Sequence, residues 1–451
     1  MNATSHLRLI FTFVSISLFS ILPVFLNAQT NDTSENHLTV RAQFQPRLEI
    51  RDGAFKPLSH NENPAVLISQ RTRLTIDYSY KNILALQLTP QSVSVWGQAN
   101  TVQGAENSGN RFALFETWAR LRLSDQWSVK LGRQVISLDD ERFFGELDWA
   151  QGGRAHDALT LQYDKNRLVL KGFLAYNQNY KAIYGNNISN PSGNLYSTND
   201  AFSYKLMQTI WAGFSVDKKS TLSFLATNLG LQQADSANEA AETYYSQTFG
   251  ANYFLNSNSL TGNVSAYFQT GKNISGNRTQ ACLLAAFAGY HFTKKWYAGV
   301  GTDWVSGNNP GQSQTKNRAF IPYFHTGHKF YGNMDYFYAG SFHKNAGLSD
   351  NYIKLQYKPG SSSAVSVALH QFYSFARIVE AGKQYQKNMG QEIDISCAFK
   401  LNTFTNLSGG YSFYLPTSTL KYLKNTPDAK NFQQWGWISL NIIPTIFKSN
   451  Y

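Results

Sequence analysis

The stretch VRAQFQPRLEIR at residues 40–51 alternates apolar and polar side chains without a break. A period of two is the signature of a β-strand whose two faces meet different surroundings. Related alternation recurs at residues 71–80, 115–123 and 392–401, and in 115–123 Phe115 shares the apolar parity with Leu121. The pattern predicts several strands, each with one face for an apolar medium and one for water.

Composition favours a membrane barrel over a bundle of membrane helices. Beyond the N-terminal region, no segment approaches the ~20 uninterrupted apolar residues that a spanning helix needs. The chain nevertheless contains 31 Phe, 26 Tyr and 9 Trp, with a mean hydropathy of -0.35. Half-apolar strands and aromatic girdles at both membrane interfaces explain that combination, although a soluble sandwich would show similar alternation.

The N-terminus has the features of a secretory signal peptide. Arg8 precedes an uncharged run at residues 9–25, and Ala28 offers a small residue for cleavage before Gln29. A retained anchor is the alternative, and the Ser, Thr and Pro residues within the run disfavour it. We therefore predict a signal peptide at 1–28, a short tail at 29–37 and one domain at 38–451. The two cysteines are too few for a disulfide framework.

Short turns and long polar segments alternate along the chain, and the nine long segments require eighteen strands. To keep that even count, residues 334–342 are assigned to an outer loop. The sequence therefore predicts an all-β protein: a single transmembrane antiparallel β-barrel of about 18 strands, with long outer loops and short periplasmic turns. Its predicted place is the outer membrane of a Gram-negative cell, as a monomer.

The formal charge of +12 indicates an anionic partner. No nucleic-acid-binding motif is present, so lipopolysaccharide or an anion in the lumen fits better. A barrel of this width leaves an aqueous channel, and guanidinium groups bind carboxylates at any relevant pH. The alternative is that the arginines on the inner face of the strands only brace the barrel wall by pairing with acidic side chains. The residues predicted from the strand pattern to line the lumen are Arg47, Arg71, Arg73, Arg120, Arg122 and Glu116.

A second candidate region lies at residues 131–158, where charge is concentrated in a chain that is otherwise poor in it. Several motifs here have the order and spacing of the alginate export family of outer-membrane proteins, which the chain resembles. These motifs are VWG at 95–97, ETW at 116–118, LGRQ at 131–134, DDER at 139–142, LDW at 147–149, GRAHDA at 153–158 and HKFYG at 328–332.

The resemblance implies an electropositive constriction that passes an anionic polysaccharide out of the periplasm. Arg133, Arg142 and Arg154 would line it, with Asp157 as an acid that holds or gates them. Arg133 shares the parity of the outward-facing Leu131, so only a bulge at the intervening glycine or an early strand end would turn it inward.

The function predicted from the sequence is an outer-membrane channel for an alginate-like polysaccharide or a related acidic solute. The alternatives are a general or anion-selective porin for small nutrients, and a plugged barrel that binds ligands at the surface. Expected partners are such anions, outer-membrane lipid and lipopolysaccharide, and a periplasmic export apparatus. No enzyme motif, cofactor motif or metal-ligand spacing is present, and neither the solute nor the direction of transport can be read from the sequence.

Overall fold

The computed structural model of the chain describes residues 36–53, 55–97, 112–177, 204–232, 242–310, 315–337, 343–380 and 382–450. The predicted signal peptide at 1–28 lies outside the described residues, as does most of the predicted tail.

Long antiparallel strands make up the structure, and their alternating sequences explain why they form. The strands are β1 (Asn36–Arg51), β2 (Ala65–Tyr80), β3 (Leu84–Val95), β4 (Phe112–Arg122), β5 (Trp127–Gln134), β6 (His156–Lys165), β7 (Leu168–Tyr176), β8 (Leu206–Ser215), β9 (Ser220–Gln232), β10 (Thr243–Asn256), β11 (Leu260–Gly271), β12 (Ala281–His291), β13 (Trp296–Val305), β14 (Leu348–Gly360), β15 (Ser363–Tyr373), β16 (Ile378–Glu380), β17 (Lys383–Tyr385), β18 (Asn388–Lys400), β19 (Thr405–Pro416), β20 (Gln433–Ile442) and β21 (Thr445–Asn450).

The strands close into a barrel. Each wall strand pairs antiparallel with the next, and β1 closes the sheet against both β20 and β21. The last two are halves of one strand, interrupted at Pro444, which has no N–H for the ladder. With these halves counted once, the wall has 18 strands, and the predicted fold class is confirmed.

Four elements of the described residues lie outside the wall, two of them single 3-10 turns at Gly327–Lys329 and His343–Asn345 between β13 and β14. The β16–β17 hairpin belongs to the outer loop between β15 and β18, and a helix, α1 (Ser418–Leu423), belongs to the loop between β19 and β20. Within the described part of the chain, no helix is long and apolar enough to cross a membrane. Residues 334–337 contain no strand, in agreement with the outer-loop assignment; residues 338–342 are not described.

The outer face of the wall is apolar and the inner face is polar. On β1, Leu48 and Ile50 are exposed on the outside, whereas Arg47 and Glu49 are buried inside the barrel. The same arrangement recurs around the wall, with Ile210, Val264 and many other large apolar side chains exposed. Such a continuous apolar exterior is stable in lipid and not in water. The protein is therefore an outer-membrane β-barrel.

A β-bulge corrects the predicted facing of one residue. Thr89 pairs with Glu116 but Pro90 pairs with Leu114, so Phe115 is an extra residue in β4. The bulge turns Phe115 into the lumen, where the Arg73 guanidinium lies 3.6 Å from the centre of its ring. Parity in the sequence predicts that Phe115 lies on the apolar face. That prediction is wrong because a single extra residue reverses the facing and leaves no sign in the alternation.

Two outer loops fold back into the barrel. We name residues 135–155, between β5 and β6, the first lumen loop, and the described residues 306–310, 315–337 and 343–347, between β13 and β14, the second lumen loop. Aromatic side chains from both loops form a buried core inside the wall rather than outside it. Members of this core are Phe143, Phe144, Phe324, Tyr331 and Phe337. The barrel is therefore narrowed from within by packed loops.

Candidate solute pathway in the lumen

The two lumen loops contact each other directly. The Gly145 amide donates to the Phe324 carbonyl at 2.8 Å, and the Phe144 and Phe324 rings stack at 5.1 Å. Lys329 of the second loop lies 3.5 Å from Glu141 of the first. The Lys329 side chain is half exposed, so water reaches the gap between the loops although their centre is packed.

One half of the first lumen loop is attached to the wall from β8 to β13. Asp139 accepts hydrogen bonds from Trp211 at 3.0 Å and from Asn252 at 3.1 Å. Arg142 pairs at 2.8 Å with Asp303 on β13, and neither side chain is more than 3% exposed. Burial excludes water from this pair and removes a competing hydrogen-bond partner, so the Arg142 contact fixes the loop across the lumen.

The other half of the first lumen loop is attached to β1, β2 and β3. Arg47 donates to the Trp149 carbonyl at 2.8 Å and lies 4.0 Å from the centre of its ring. Arg71 and Arg73 both point at Asp148, at 2.9 and 3.4 Å. The loop therefore spans the lumen from one wall to the opposite one and divides it.

A glycine permits the close approach of the loop to β2 and β4. Gly153 has a φ of +63°, and a Cβ added there would lie 2.6 Å from the Phe115 ring and 2.8 Å from the Arg73 guanidinium. No other residue would fit without displacing both side chains. This explains physically why the GRAHDA motif begins with glycine.

The inner wall from β4 to β8 carries cations that are held against tryptophans. Lys130 Nζ lies 4.8 Å from the centre of the Trp118 ring, and Lys171 Nζ lies 5.4 Å from that of Trp211. A carboxylate orients each indole: Glu116 accepts from Trp118 at 3.2 Å, as Asp139 does from Trp211. Cation–π contact leaves the ammonium groups charged while fixing their positions. This wall is therefore basic and ordered.

The face of the first lumen loop carries exposed acids. Glu146 is exposed, and the Asp148 side chain is 51% exposed. Desolvation raises the pKa of Glu146, and the charges of Asp148 and Glu141 raise it further. Burial likewise raises the pKa of Asp139, against hydrogen bonds from Ser223 and Trp211 that lower it. An acidic loop therefore stands inside a partly basic wall.

A cavity of about 610 Å³ lies on the periplasmic side of the loops. Both loops contribute to it, through Arg142 and Tyr331, and the wall contributes polar side chains including Lys354, Gln356 and Ser396.

The residues predicted to line the lumen fall into three groups. Those on the inner wall are Arg47, Arg71, Arg73, Arg120, Arg122 and Glu116. Arg142 and Arg154 lie in the first lumen loop, but Arg154 donates to main-chain carbonyls, including that of His325 at 2.9 Å, and so braces the loops. The third group, Arg133 and Asp157, lies on the outer face.

Arg133 and Asp157 form a pair on the outer face of the barrel, not in the lumen. Their bidentate contact is 2.8 Å long in both arms, and both side chains are more than 40% exposed. They share the parity of Leu131 and Leu161, which are exposed on the outside. Gly132 has a φ of +124°, yet the register from Leu131 to Arg133 is uninterrupted, so no bulge reverses the facing.

No pattern in the sequence singles out Lys171, Trp211 or Asp303. Lys171 shares its face of β7 with Phe173, which packs into the loop core, so the alternation there carries no polar signal. An apolar inner face is visible only once the loops are known to fold inward.

No protein-family model matches the chain, and no curated protein matches it in sequence. Solved structures match over nearly the whole length. OccAB1 from Acinetobacter baumannii gives a TM-score of 0.59 at 12% identity, covering 91% of this chain and 97% of that one. OccK8 (OprE) from Pseudomonas aeruginosa gives 0.59 at 9% identity, covering 91% and 98%. The outer membrane protein opdK from the same organism gives 0.58 at 10% identity, covering 90% and 98%.

At sequence identities this low, the comparisons support the fold alone. They agree with the closed wall of 18 strands, and they give no support to the finer resemblance to the alginate export family. The chain is an outer-membrane β-barrel whose lumen is narrowed by two inward-folded loops.

Proposed function

We propose that the protein is an outer-membrane porin that passes small anionic solutes. The observation that carries the proposal is the charge of the lumen wall: Arg120, Lys130 and Lys171 lie on the inner face of the neighbouring strands β4, β5 and β7, close enough for their charges to act on one another. A solute bearing a carboxylate or phosphate gains attraction along this wall at every step. Fixed cations that stay partly hydrated attract such a solute but bind it weakly, so the solute passes and is not trapped.

The packed loops favour a small solute over a polymer. Phe143, Phe144 and Phe324 are buried together inside the barrel, and the buried Arg142–Asp303 pair ties the first loop to the far wall. A polysaccharide chain needs a continuous open bore, which this packing narrows. The comparisons likewise support a porin better than alginate passage.

A planar bilayer experiment tests the proposal. Purified mature protein is reconstituted, and the reversal potential is measured in a potassium chloride gradient. We expect open channels with a reversal potential toward that of chloride. The triple variant Arg120→Gln, Lys130→Gln, Lys171→Gln is expected to lose most of this anion preference while still conducting.

Three results would contradict the proposal. If bilayers containing the protein pass no current, and heat-dependent gel mobility shows that the protein is folded, a plugged barrel that binds ligands at its surface would be favoured. A preference for cations would overturn the role of the basic wall. Strong, length-dependent block by oligouronates would favour an exporter of acidic polysaccharide.

A further inference from the structure

Two arginines on β2 converge on one carboxylate of the first lumen loop. Arg71 Nη1 lies 2.9 Å from Asp148 Oδ1, and Arg73 Nη1 lies 3.4 Å from the same oxygen. The arginine side chains are only 1% and 9% exposed, whereas that of Asp148 is 51% exposed. The acid is thus the one member of the cluster that water, and any solute in the lumen, can reach.

The two guanidinium groups have more donors than Asp148 uses. Arg71 Nε and Arg73 Nη2 are buried and have no hydrogen-bond partner. Leaving a buried charged donor unsatisfied is costly. An oxyanion that accepted hydrogen bonds from these donors as well would therefore bind more strongly than the Asp148 carboxylate does. Arg73 Nη2 faces Gly153 of the first lumen loop, so an oxyanion reaches the unused donors by entering between β2 and this loop.

The arginines keep their positions independently of Asp148. Gln45 Oε1 accepts a hydrogen bond from Arg71 Nη2, and Gln91 Oε1 accepts one from Arg73 Nε at 2.8 Å. Phe115 supports the flat face of Arg73. Removal of Asp148 would leave a preorganised pair of cations facing the lumen, which lowers the cost of binding a replacement.

The loop can release Asp148 without leaving the lumen. The Arg142–Asp303 pair holds the other half of the loop, and Arg47 holds Trp149 beside the site. Rotation of the half-exposed Asp148 side chain would free both guanidinium groups from its carboxylate, while Arg71 keeps its contact with the Asp148 main-chain carbonyl at 3.2 Å.

We propose that Arg71 and Arg73 form an oxyanion-binding site, and that Asp148 is an internal carboxylate that occupies the site until an anionic solute displaces it. This inference rests on the proposed anion porin and deepens it by naming the site at which the solute is bound and released. An internal competitor weakens binding, so that the solute leaves again and the channel conducts rather than retains it.

Inorganic phosphate is the probe that tests the competition. Chloride current through single channels is recorded at rising phosphate concentration, and the concentration that halves the current is determined. Asp148→Asn removes the internal anion, and we expect it to lower this concentration about tenfold, the equivalent of one charge-assisted hydrogen bond. Arg71→Gln is expected to abolish the high-affinity block.

Glu146→Gln is the matched control. Glu146 lies two residues before Asp148 on the same exposed loop face. It feels the charge of Arg73, but the hydrogen bonds and ion pairs that Arg71 and Arg73 make with an acid of this loop go to Asp148. A general electrostatic effect would strengthen phosphate block equally in Glu146→Gln and Asp148→Asn, and that result would overturn the proposal. Unchanged block in Asp148→Asn would overturn it as well. If Asp148→Asn does not fold, Asp148→Ser supplies the same comparison.

Failure of this inference and failure of the porin proposal look different. If the wild-type channel conducts anions but Asp148→Asn leaves the phosphate block unchanged, only the proposed competition between Asp148 and the solute is contradicted. A wild-type barrel that passes no current contradicts the porin itself.

Discussion

Two arginine–aspartate clusters hold the same loop, and they differ in their access to water. Arg142 and Asp303 are both almost fully buried, and Arg142 also pairs with Asp140. Arg71 and Arg73 are equally buried, but their common partner Asp148 is half exposed. One cluster is closed on all sides and the other is open on its acidic side.

The difference shows how one kind of ion pair serves two purposes. Water cannot replace either member of a closed pair, so separation would leave an uncompensated buried charge. In the open cluster the acid can exchange its arginine partners for water, and the two buried guanidinium groups still have Gln45 and Gln91 as acceptors. The Arg142 cluster is therefore a fixed anchor, and the Asp148 cluster is an exchangeable contact.

The largest effect is expected from breaking the closed cluster. Arg142→Ala leaves Asp303 and Asp140 buried without their cation, and we expect it to lower the free energy of unfolding by about 3–5 kcal/mol. Urea-induced unfolding in detergent, followed by tryptophan fluorescence, measures the loss. Arg142→Lys retains the charge but not the bidentate geometry, so its free energy of unfolding should lie between those of Arg142→Ala and the wild type. A loss below 1 kcal/mol in Arg142→Ala would show that the closed cluster is no anchor.

A smaller effect is expected from the open cluster. Asp148→Asn leaves Arg71 its contacts with Gln45 and with the Asp148 main chain, so we expect a loss of about 1–2 kcal/mol in the same unfolding experiment. Equal losses for Asp148→Asn and Arg142→Ala would erase the distinction between the clusters.

The pH dependence of the loop attachment sharpens the comparison further. Burial raises the pKa of Asp139 in the folded protein. Its contribution to stability is therefore greatest below the unfolded-state pKa and is lost as the pH rises through the higher folded-state pKa. Asp139→Asn should remove this component from a pH series of unfolding curves, because an amide does not titrate, while its oxygen can still accept from Trp211. An identical pH profile in wild type and variant would contradict the assignment.

The smallest effect is expected at the outer face. Arg133 and Asp157 are both substantially exposed, so Arg133→Ala should cost no more than about 1 kcal/mol. Because the pair lies outside the lumen, the reversal potential in a salt gradient should not change. A shift of the reversal potential as large as that of the variant Arg120→Gln, Lys130→Gln, Lys171→Gln would mean that Arg133 faces the lumen.

The candidate site was predictable in part. Strand parity alone places Arg47, Arg71 and Arg73 on the inner face, because their strands alternate without interruption. The motif at 139–142 marked the first lumen loop as unusual, but nothing in it indicates that Arg142 reaches Asp303, 161 residues further along the chain. The family resemblance placed Arg133 in a constriction, where parity argued against it, and the structure agrees with parity.

The sequence by itself determined the barrel. Lipid outside and water inside impose opposite demands on alternate residues, so the period of two, the aromatic content and the alternation of short and long connections suffice to predict 18 strands. Only the tertiary structure decided how the lumen is divided. The direction in which a long loop folds depends on contacts between distant residues, such as Asp139 with Trp211 and Asp148 with Arg71, and local alternation carries no information about such contacts.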